Sequence, residues 1–475
     1  MRLAPICALS LALALPSVLW AQGAVQHSTP DSPKALTNAD VVNMVKAGLS
    51  SDTIVMAIRD SAANFDTTAD GLIDLKKQGV PEKVIQEMLS HAGRSSGPTL
   101  RTSPLVVQNT DQGHHPGQEE YLQGEKYYSG QGVPQDYAQA AEWYRKAAAL
   151  GHPAAEYKLG VLYDSGHGVP QDFAQAATWY RKAADQGDSN AQENLGFSYL
   201  TGRGLQQSDS EAVNWFRSAA DKGNAHAQGN LGMLYEGGWG VQQSYGEAVK
   251  WLRLGAEGGD HDAQRNLGAM YSNGKGVSQD YAEAVKWFQK SADQGDVVAQ
   301  TNLAFLYEEG LGTPTNYQKA LTLYRLAADK NYVPAQAGLG IMYALGKGVP
   351  ADNAEAYKWI YPAAQKGWTS AQYYLGIMYL GGSGTTKDSN KAMQLLLAAA
   401  EKQYSPAQYI VGKLYAKGVV VQRDDAQAYM WCSLAKSNGL NRCDEEHVTP
   451  QLTGDQKREA DRRVQEWLAK HKKGN

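Results

Sequence analysis

Between residues 117 and 440 the apolar positions fall in two alternating helical stretches, and the whole pattern returns every 36 residues. In 189–224, Ala191, Leu195, Gly196 and Tyr199 stand at i, i+4, i+5 and i+8, one face of a first helix. Gly196 is small enough for a neighbouring backbone or aromatic ring to come close. Gly202 and Gly204 then end that helix in a turn that requires positive φ. Ala212, Trp215, Phe216, Ala219 and Ala220 form the packing face of a second helix, which Asp221, Lys222 and Gly223 close. The second helices start at Asp136, Asp172, Ser208, Ser244, Asp280, Asn316, Asp352, Asp388 and Asp424. All are residues whose side chains satisfy open backbone N–H groups, each worth about 1 kcal/mol as a cap.

Three columns fix the register. Tyr recurs unbroken from Tyr127 through Tyr163, Tyr199, Tyr235, Tyr271, Tyr307, Tyr343 and Tyr379 to Tyr415, and Gly from Gly130 to Gly418. Trp occupies 143, 179, 215, 251, 287, 359 and 431, with Leu323 and Leu395 in the two gaps. The array is therefore nine units of 36 residues without insertion, 117–440. A single unit cannot bury both of its faces, but stacked units can, so the expected fold is all-α: an α/α solenoid superhelix, regular and without a kink. The Trp column is expected in the core, where Trp215→Ala would cost about 3–5 kcal/mol.

Ahead of the array, 36–92 read as a small module of about four short helices. Thr37 and Ser50 are plausible caps; Val41, Val42 and Val45 give one apolar face, Ile54, Val55 and Ile58 a second, and Val84, Ile85, Met88 and Leu89 the last. Gly79 then Pro81 is a stop followed by a start. Residues 93–116 carry Gly, Ser, Pro and His without periodicity and read as a flexible linker. The beginning has the layout of a secretory leader over 1–21: Arg2, an apolar run from Ile6 to Leu19, and the small Ala21. The expectation is an exported protein, periplasmic or secreted, with no stable membrane insertion after leader removal.

Composition narrows the function. The chain of 475 residues holds 49 Gly, 27 Tyr and 11 Trp but only 6 Phe, and 32 of the Gly fall in four repeat columns, so the bias counts turns and stacking contacts. A net charge of −4 argues against a nucleic-acid partner. Three Cys exclude a disulfide scaffold and a multi-Cys metal site, and no cofactor or metal is expected. Cys7 lies in the leader. Cys432 and Cys443, one in a helix and one in the loop after it, are a possible disulfide in an exported chain; spacing alone does not show that their geometry fits. Ser-x-x-Lys at Ser272–Lys275 and Ser433–Lys436 lacks the companion motifs of penicillin-recognising enzymes, and no other catalytic signature is present, so no enzymatic activity is expected.

Segments such as AQENLGFSYLTGRG and DYAEAVKWFQKSADQG resemble Sel1-like repeats, over about two thirds of the chain. The resemblance implies a tetratricopeptide-like α/α solenoid whose members mostly hold other proteins or peptides. HVTPQLTGDQKREADRRVQEWLAK resembles the capping helix that follows such arrays, so 441–475 are expected to cover the last unit through Ala460, Val464, Trp467 and Leu468. Glu119 and Gln123 depart from the family's Ala and Leu in the first unit, which suits an end cap.

In related solenoids the first helices line the concave face, and the residue before Leu-Gly turns partly into it. That residue is Asn194, Asn230, Asn266 and Asn302 in four successive units. Such amides can both donate to and accept from an extended peptide backbone, or simply bridge neighbouring helices. Arg265 and Lys158 stand nearby and could meet a carboxylate. Trp239 and Trp368 lie outside the Trp column, as anchors or as packing. The favoured function is an exported scaffold that binds an unidentified protein or peptide along its groove, with self-association possible; the alternative is a cell-wall protein directed at peptidoglycan or β-lactams.

Overall fold

The computed structural model describes residues 116–445 and 452–471, and in the N-terminal part Val41, Val42, Val45, Ile54, Leu75, Val80, Pro81, Val84, Ile85 and Met88. The leader-like residues 1–21, and the linker-like 93–116 apart from residue 116, lie outside the described residues. The chain divides into two compact units, Met1–Gln112 and Gly113–Asn475. In the first, Val41, Val42, Ile54, Leu75, Val80, Val84, Ile85 and Met88 form one buried cluster with Val45 packed against it. Three stretches with separate apolar faces thus share a core.

The second unit is all-helical among the described residues. Each 36-residue unit folds as a helix pair, such as Ser189–Thr201 with Asp209–Ala220 in unit 3 (189–224). From Gln118 to Ser437 every helix packs on the next in the chain, and first helices also approach first helices of the following unit, as in units 4 and 5. The start of each second helix follows from its cap. All nine Asp, Ser or Asn side chains accept from backbone N–H groups one turn on. Gly202 ends the first helix of unit 3 at φ 72°. Gly204 follows at φ 71°, and a Cβ there would stand 2.1 Å from the Phe173 carbonyl oxygen, so this loop lies directly on the second helix of the unit before.

The core corrects the expectation for the Trp column. Trp431 is buried at 4% exposure, but Trp143, Trp179, Trp215, Trp251, Trp287 and Trp359 are half-buried. The next residue fills the core: Tyr144, Tyr180, Phe216, Leu252, Phe288, Tyr324, Ile360 and Leu396 are buried, their side chains resting on the small residue after Leu in the first helix wherever it is Gly. One residue turns a helix by about 100°, which moves each Trp from the centre of the packed face to the seam between units. There Trp179 packs against the buried cluster that holds Tyr144, Leu159 and Leu162, and Trp251 against the one that holds Phe216, Leu231 and Leu234. Lys146 and Lys182 lie 3.9 and 4.1 Å over the Trp143 and Trp179 rings.

The Tyr column has a polar reason. Arg253 donates to the Tyr271 hydroxyl at 2.6 Å, and Arg181, Arg217 and Arg325 bond Tyr199, Tyr235 and Tyr343 in the same way, each across one unit boundary. Phe could not accept these bonds. The buried Gln192, Gln228, Gln264, Gln300 and Gln408 donate to backbone carbonyls closing the preceding second helix, at 3.0–3.2 Å.

The array closes differently at its two ends. The first helix of unit 1, Gln118–Ser129, turns the polar Glu119 and Lys126 outward. At the other end Cys432 and Cys443 form a disulfide with Cα atoms 5.7 Å apart. Cys443 lies in a short helix, Arg442–Glu445, where the sequence suggested a loop. The helix Gly454–His471 then sets Val464, Trp467 and Leu468 on the core of the last units, with Ala460 buried and Trp467 edge-on to Trp431 at 6.3 Å.

Candidate functional site

In each first helix the buried side fixes the open side. In Ser189–Thr201 the buried residues are Ala191, Gln192, Leu195, Gly196 and Ser198. At about 100° per residue the position opposite their centre is Phe197, which is 39% exposed. Its equivalents are Val161, Met233, Ala269, Phe305, Ile341 and Ile377, all half-buried. Seven successive units therefore present one apolar residue each along a single lane. The same column carries Glu125 in unit 1 and Lys413 in unit 9, so the lane is closed by a charge at either end. Sequence reasoning overlooked this lane, although the signal was available: an apolar residue repeated seven times at a position off the packing face.

Asn194, Asn230, Asn266 and Asn302 flank the lane. All four are half-buried. Asn194 sits beside the hydroxyls of Tyr157 and Tyr180, whose pKa values burial raises and this amide partly restores. Asn266 accepts from the Arg265 Nε at 3.4 Å. The series stops after Asn302 for a packing reason. Unit 6 has Ala304 where its neighbours have Gly, and the Tyr324 ring rests instead on Gly338, where a Cβ would stand 2.7 Å from it. An Asn at 338 has no room.

The charged neighbours of the lane are paired with one another. The Arg265 guanidinium lies 2.5 Å from Asp262 and 2.7 Å from Asp296, the cap of the helix that opens the next unit; the carboxylates it could meet are the protein's own. Lys158 pairs with Glu125 at 3.2 Å and lies 4.5 Å over the Tyr128 ring. His226 Nδ1 lies 2.6 Å from Asp260. Along one edge Arg203, Lys275 and Lys347 reach back to Asp164, Glu236 and Glu308 of the preceding unit at 3.1, 3.3 and 2.7 Å. The same three cations lie over Phe173, Tyr245 and Tyr317. This alternate-unit staple joins units 2–3, 4–5 and 6–7. Lys275 is thereby committed to Glu236, which removes it as a base for Ser272, itself buried.

Among the described residues His261, Asp262 and Asp296 place their ligand atoms within 4.8 Å of one another. The Arg265 guanidinium already supplies the positive charge between these carboxylates. Trp368 stands at the start of a first helix without a side-chain cap bond and packs half-buried against the core of units 7 and 8, whereas Trp239 is 44% exposed on the Gly-rich loop of unit 4.

The family description "Sel1 repeat" matches nine consecutive segments, 124–152, 153–188, 189–224, 225–260, 261–296, 297–332, 333–368, 369–404 and 405–440. The first match begins after Glu119 and Gln123. The chain is similar to c5321, described as a protective antigen present in uropathogenic Escherichia coli strains displaying an SLR fold, at 29% identity, covering 91% of this chain and 95% of that one, with a TM-score of 0.56. It is also similar to a Sel1 repeat protein from Oxalobacter formigenes at 36% identity, covering 51% of this chain and 96% of that one, with a TM-score of 0.47. No curated protein matches the chain significantly.

Proposed function

The chain belongs to the Sel1 repeat family, a scaffold suited to protein–protein interaction, and on that premise we propose that it is an exported adaptor that binds a protein or peptide along the outward face of its first helices. The observation that carries this reading is the continuous apolar lane from Val161 to Ile377, flanked by the amides of Asn194, Asn230, Asn266 and Asn302. Apolar side chains at the centre of a polar surface are where binding energy concentrates. Lys158 and Arg265 serve in this reading by holding the carboxylates of Glu125 and of Asp262 and Asp296 beside the lane. Export rests on the leader-like 1–21 and on the Cys432–Cys443 disulfide, which persists in oxidising compartments.

The test is affinity capture from an envelope extract with three chains: wild type, Ile341→Asp in the lane, and Leu254→Asp on an exposed second-helix position. The lane variant is expected to lose the captured protein and the outer variant to keep it. Equal capture by all three contradicts the reading. Cell fractionation with mass spectrometry of the mature N-terminus checks export, the expected result being a periplasmic or secreted chain that has lost its leader.

A further inference from the structure

The charges beside the lane are paired but not balanced. On the helix His261–Asn273, Asp262, Arg265 and Ala269 stand at i, i+3 and i+7, so these two charges share a stripe with the lane. Glu193 stands one turn before Phe197 on Ser189–Thr201 in the same way. Asp260 and Asp296 cap the first helices of units 5 and 6. Against these four carboxylates the Arg265 guanidinium brings one positive charge, held between Asp262 and Asp296. His226 beside Asp260, and His261 beside Asp296, add charge only when protonated. On the other edge of the lane Asp164, Glu236 and Glu308 each meet a cation of their own, and Glu309 shares the last of these.

The carboxylates register the excess. Burial raises the pKa of Glu193 and of Asp260, and the like charge of Asp260 on the first and of Asp262 on the second adds to the rise. Asp260 is 5% exposed, and its Oδ2 accepts no hydrogen bond. The Asp262 side chain, 36% exposed, is open to a partner. A cation arriving beside Asp262 and Glu193 relieves this repulsion, whereas an acidic segment adds to it.

Beyond unit 5 the stripe changes character. The places of Asp262 and Arg265 go to Val298 and Thr301 in unit 6 and to Pro334 and Ala337 in unit 7. The cap places of Asp260 and Asp296 go to Tyr332 and Trp368, both half-buried, and Leu345 at the end of the unit 7 helix is 45% exposed. The lane is thus bordered by carboxylates in units 3–5 and by uncharged, mostly apolar side chains in units 6 and 7.

We infer that the occupant is a polypeptide segment with two blocks: Lys or Arg residues over units 3–5, facing Glu193 and Asp262, and apolar residues over units 6 and 7, on Phe305 and Ile341. This rests on the groove reading above and adds the sign of the partner's charge and the order of its chemistry along the array.

Fluorescence anisotropy with the full chain tests it. The probes are labelled peptides of about twenty residues, long enough when extended to pass the first helices of units 3 to 7 at about 8–10 Å each. One joins a Lys-Ser half to a Leu-Ser half, a second has Glu in place of Lys, and a third mixes the Lys and Leu of the first along its length. The first is expected to bind at least about ten-fold tighter than either of the others and to weaken as salt is raised. Glu193→Gln combined with Asp262→Asn, checked for native helicity and melting, is expected to weaken the first peptide several-fold and to flatten its salt dependence. Glu211→Gln combined with Asp221→Asn, an equal change in net charge at exposed positions of a second helix, is expected to leave it unchanged. Ile341→Ala is expected to weaken it through the apolar half. The Glu peptide binding as tightly as the Lys peptide, or equal loss in the two charge variants, overturns the inference, and the groove stands if Ile341→Ala still weakens the peptides. Equal binding of the mixed peptide overturns the two-block order. Binding of the first peptide unchanged in the folded Ile341→Ala chain overturns the groove itself, and absence of binding by that peptide overturns the inference outright.

Discussion

At the scale of single residues, two exceptions in a glycine column show what that column does. The Gly that follows each second helix is replaced by Asn331 and Gln403, and these are the described non-glycine residues with positive φ, 61° and 63°. Asn tolerates the left-handed region better than Gln, for which it costs about 1–2 kcal/mol. Gln403→Gly is expected to stabilise the junction of units 8 and 9 by about 1 kcal/mol, and Asn331→Gly to do less at units 6 and 7. Denaturant midpoints of the two variants decide the order. The core correction makes a second prediction. Phe216→Ala is expected to cost about 3–5 kcal/mol and Trp215→Ala less, since Trp215 keeps part of its ring in water.

Glu193 gives a pH-dependent prediction. Burial raises its pKa above the ordinary carboxylate value, opposed by the Asn224 amide that donates to it at 3.0 Å. A raised acid pKa means that the folded chain holds the proton more tightly than the unfolded one. The contribution of Glu193 is then most favourable at low pH and declines as pH rises from its ordinary value of 4.5 through its folded value. Glu193→Gln keeps an acceptor for Asn224 without a charge. The stability of wild type relative to this variant is expected to fall as pH rises above the ordinary value of 4.5, as measured by melting at a series of pH values. A difference that rises with pH there contradicts the burial argument.

At the scale of elements, stability resides at junctions. The helices of unit 6 meet unit 7 through a displaced contact: Ala304 occupies the usual seat of the second-helix residue and Tyr324 leans on Gly338. Gly338→Asn extends the amide series in sequence and is expected to destabilise the array by about 2 kcal/mol through overpacking, with hydrogen exchange accelerated locally in units 6 and 7. The last unit has its own device. In place of the Tyr, Phe, Leu or Ile that other units set against their Gly, unit 9 sets Cys432 against Gly412, where an added Cβ would stand 2.9 Å from the Sγ. The half-cystine is thus a core side chain, and its bond to Cys443 fixes the chain that leads toward the cap helix. A cross-link over a loop this short is worth about 2–3 kcal/mol. Reduction is expected to raise exchange in unit 9 and Gly454–His471 while units 2–6 keep their protection.

At the scale of the whole molecule, the repeat made the fold readable. A 36-residue period, nine cap residues and the Gly turns state the helix pairs and their stacking, because in a solenoid every contact is local to neighbouring units. What the pattern hid was direction within the helix. Trp and the residue after it are both apolar, and only packing shows that Phe216 is central and Trp215 lies at the seam. For the same reason the amide series drew attention first, while the more outward Phe197 and its equivalents passed as ordinary apolar residues of a helix. Arg265 likewise looked available until folding brought in Asp296, a partner 31 residues away at the cap of the following first helix.

The central claim is that recognition runs along the first-helix lane. Its most direct measurement places a photo-crosslinking amino acid singly at Met233, Phe305, Ile341 and Ile377, and at the exposed second-helix position Asn214, in the full chain in its native envelope. The account predicts one common crosslinked partner from the four lane positions and none from Asn214. Crosslinks from Asn214 to that partner, with the lane positions silent, would contradict it.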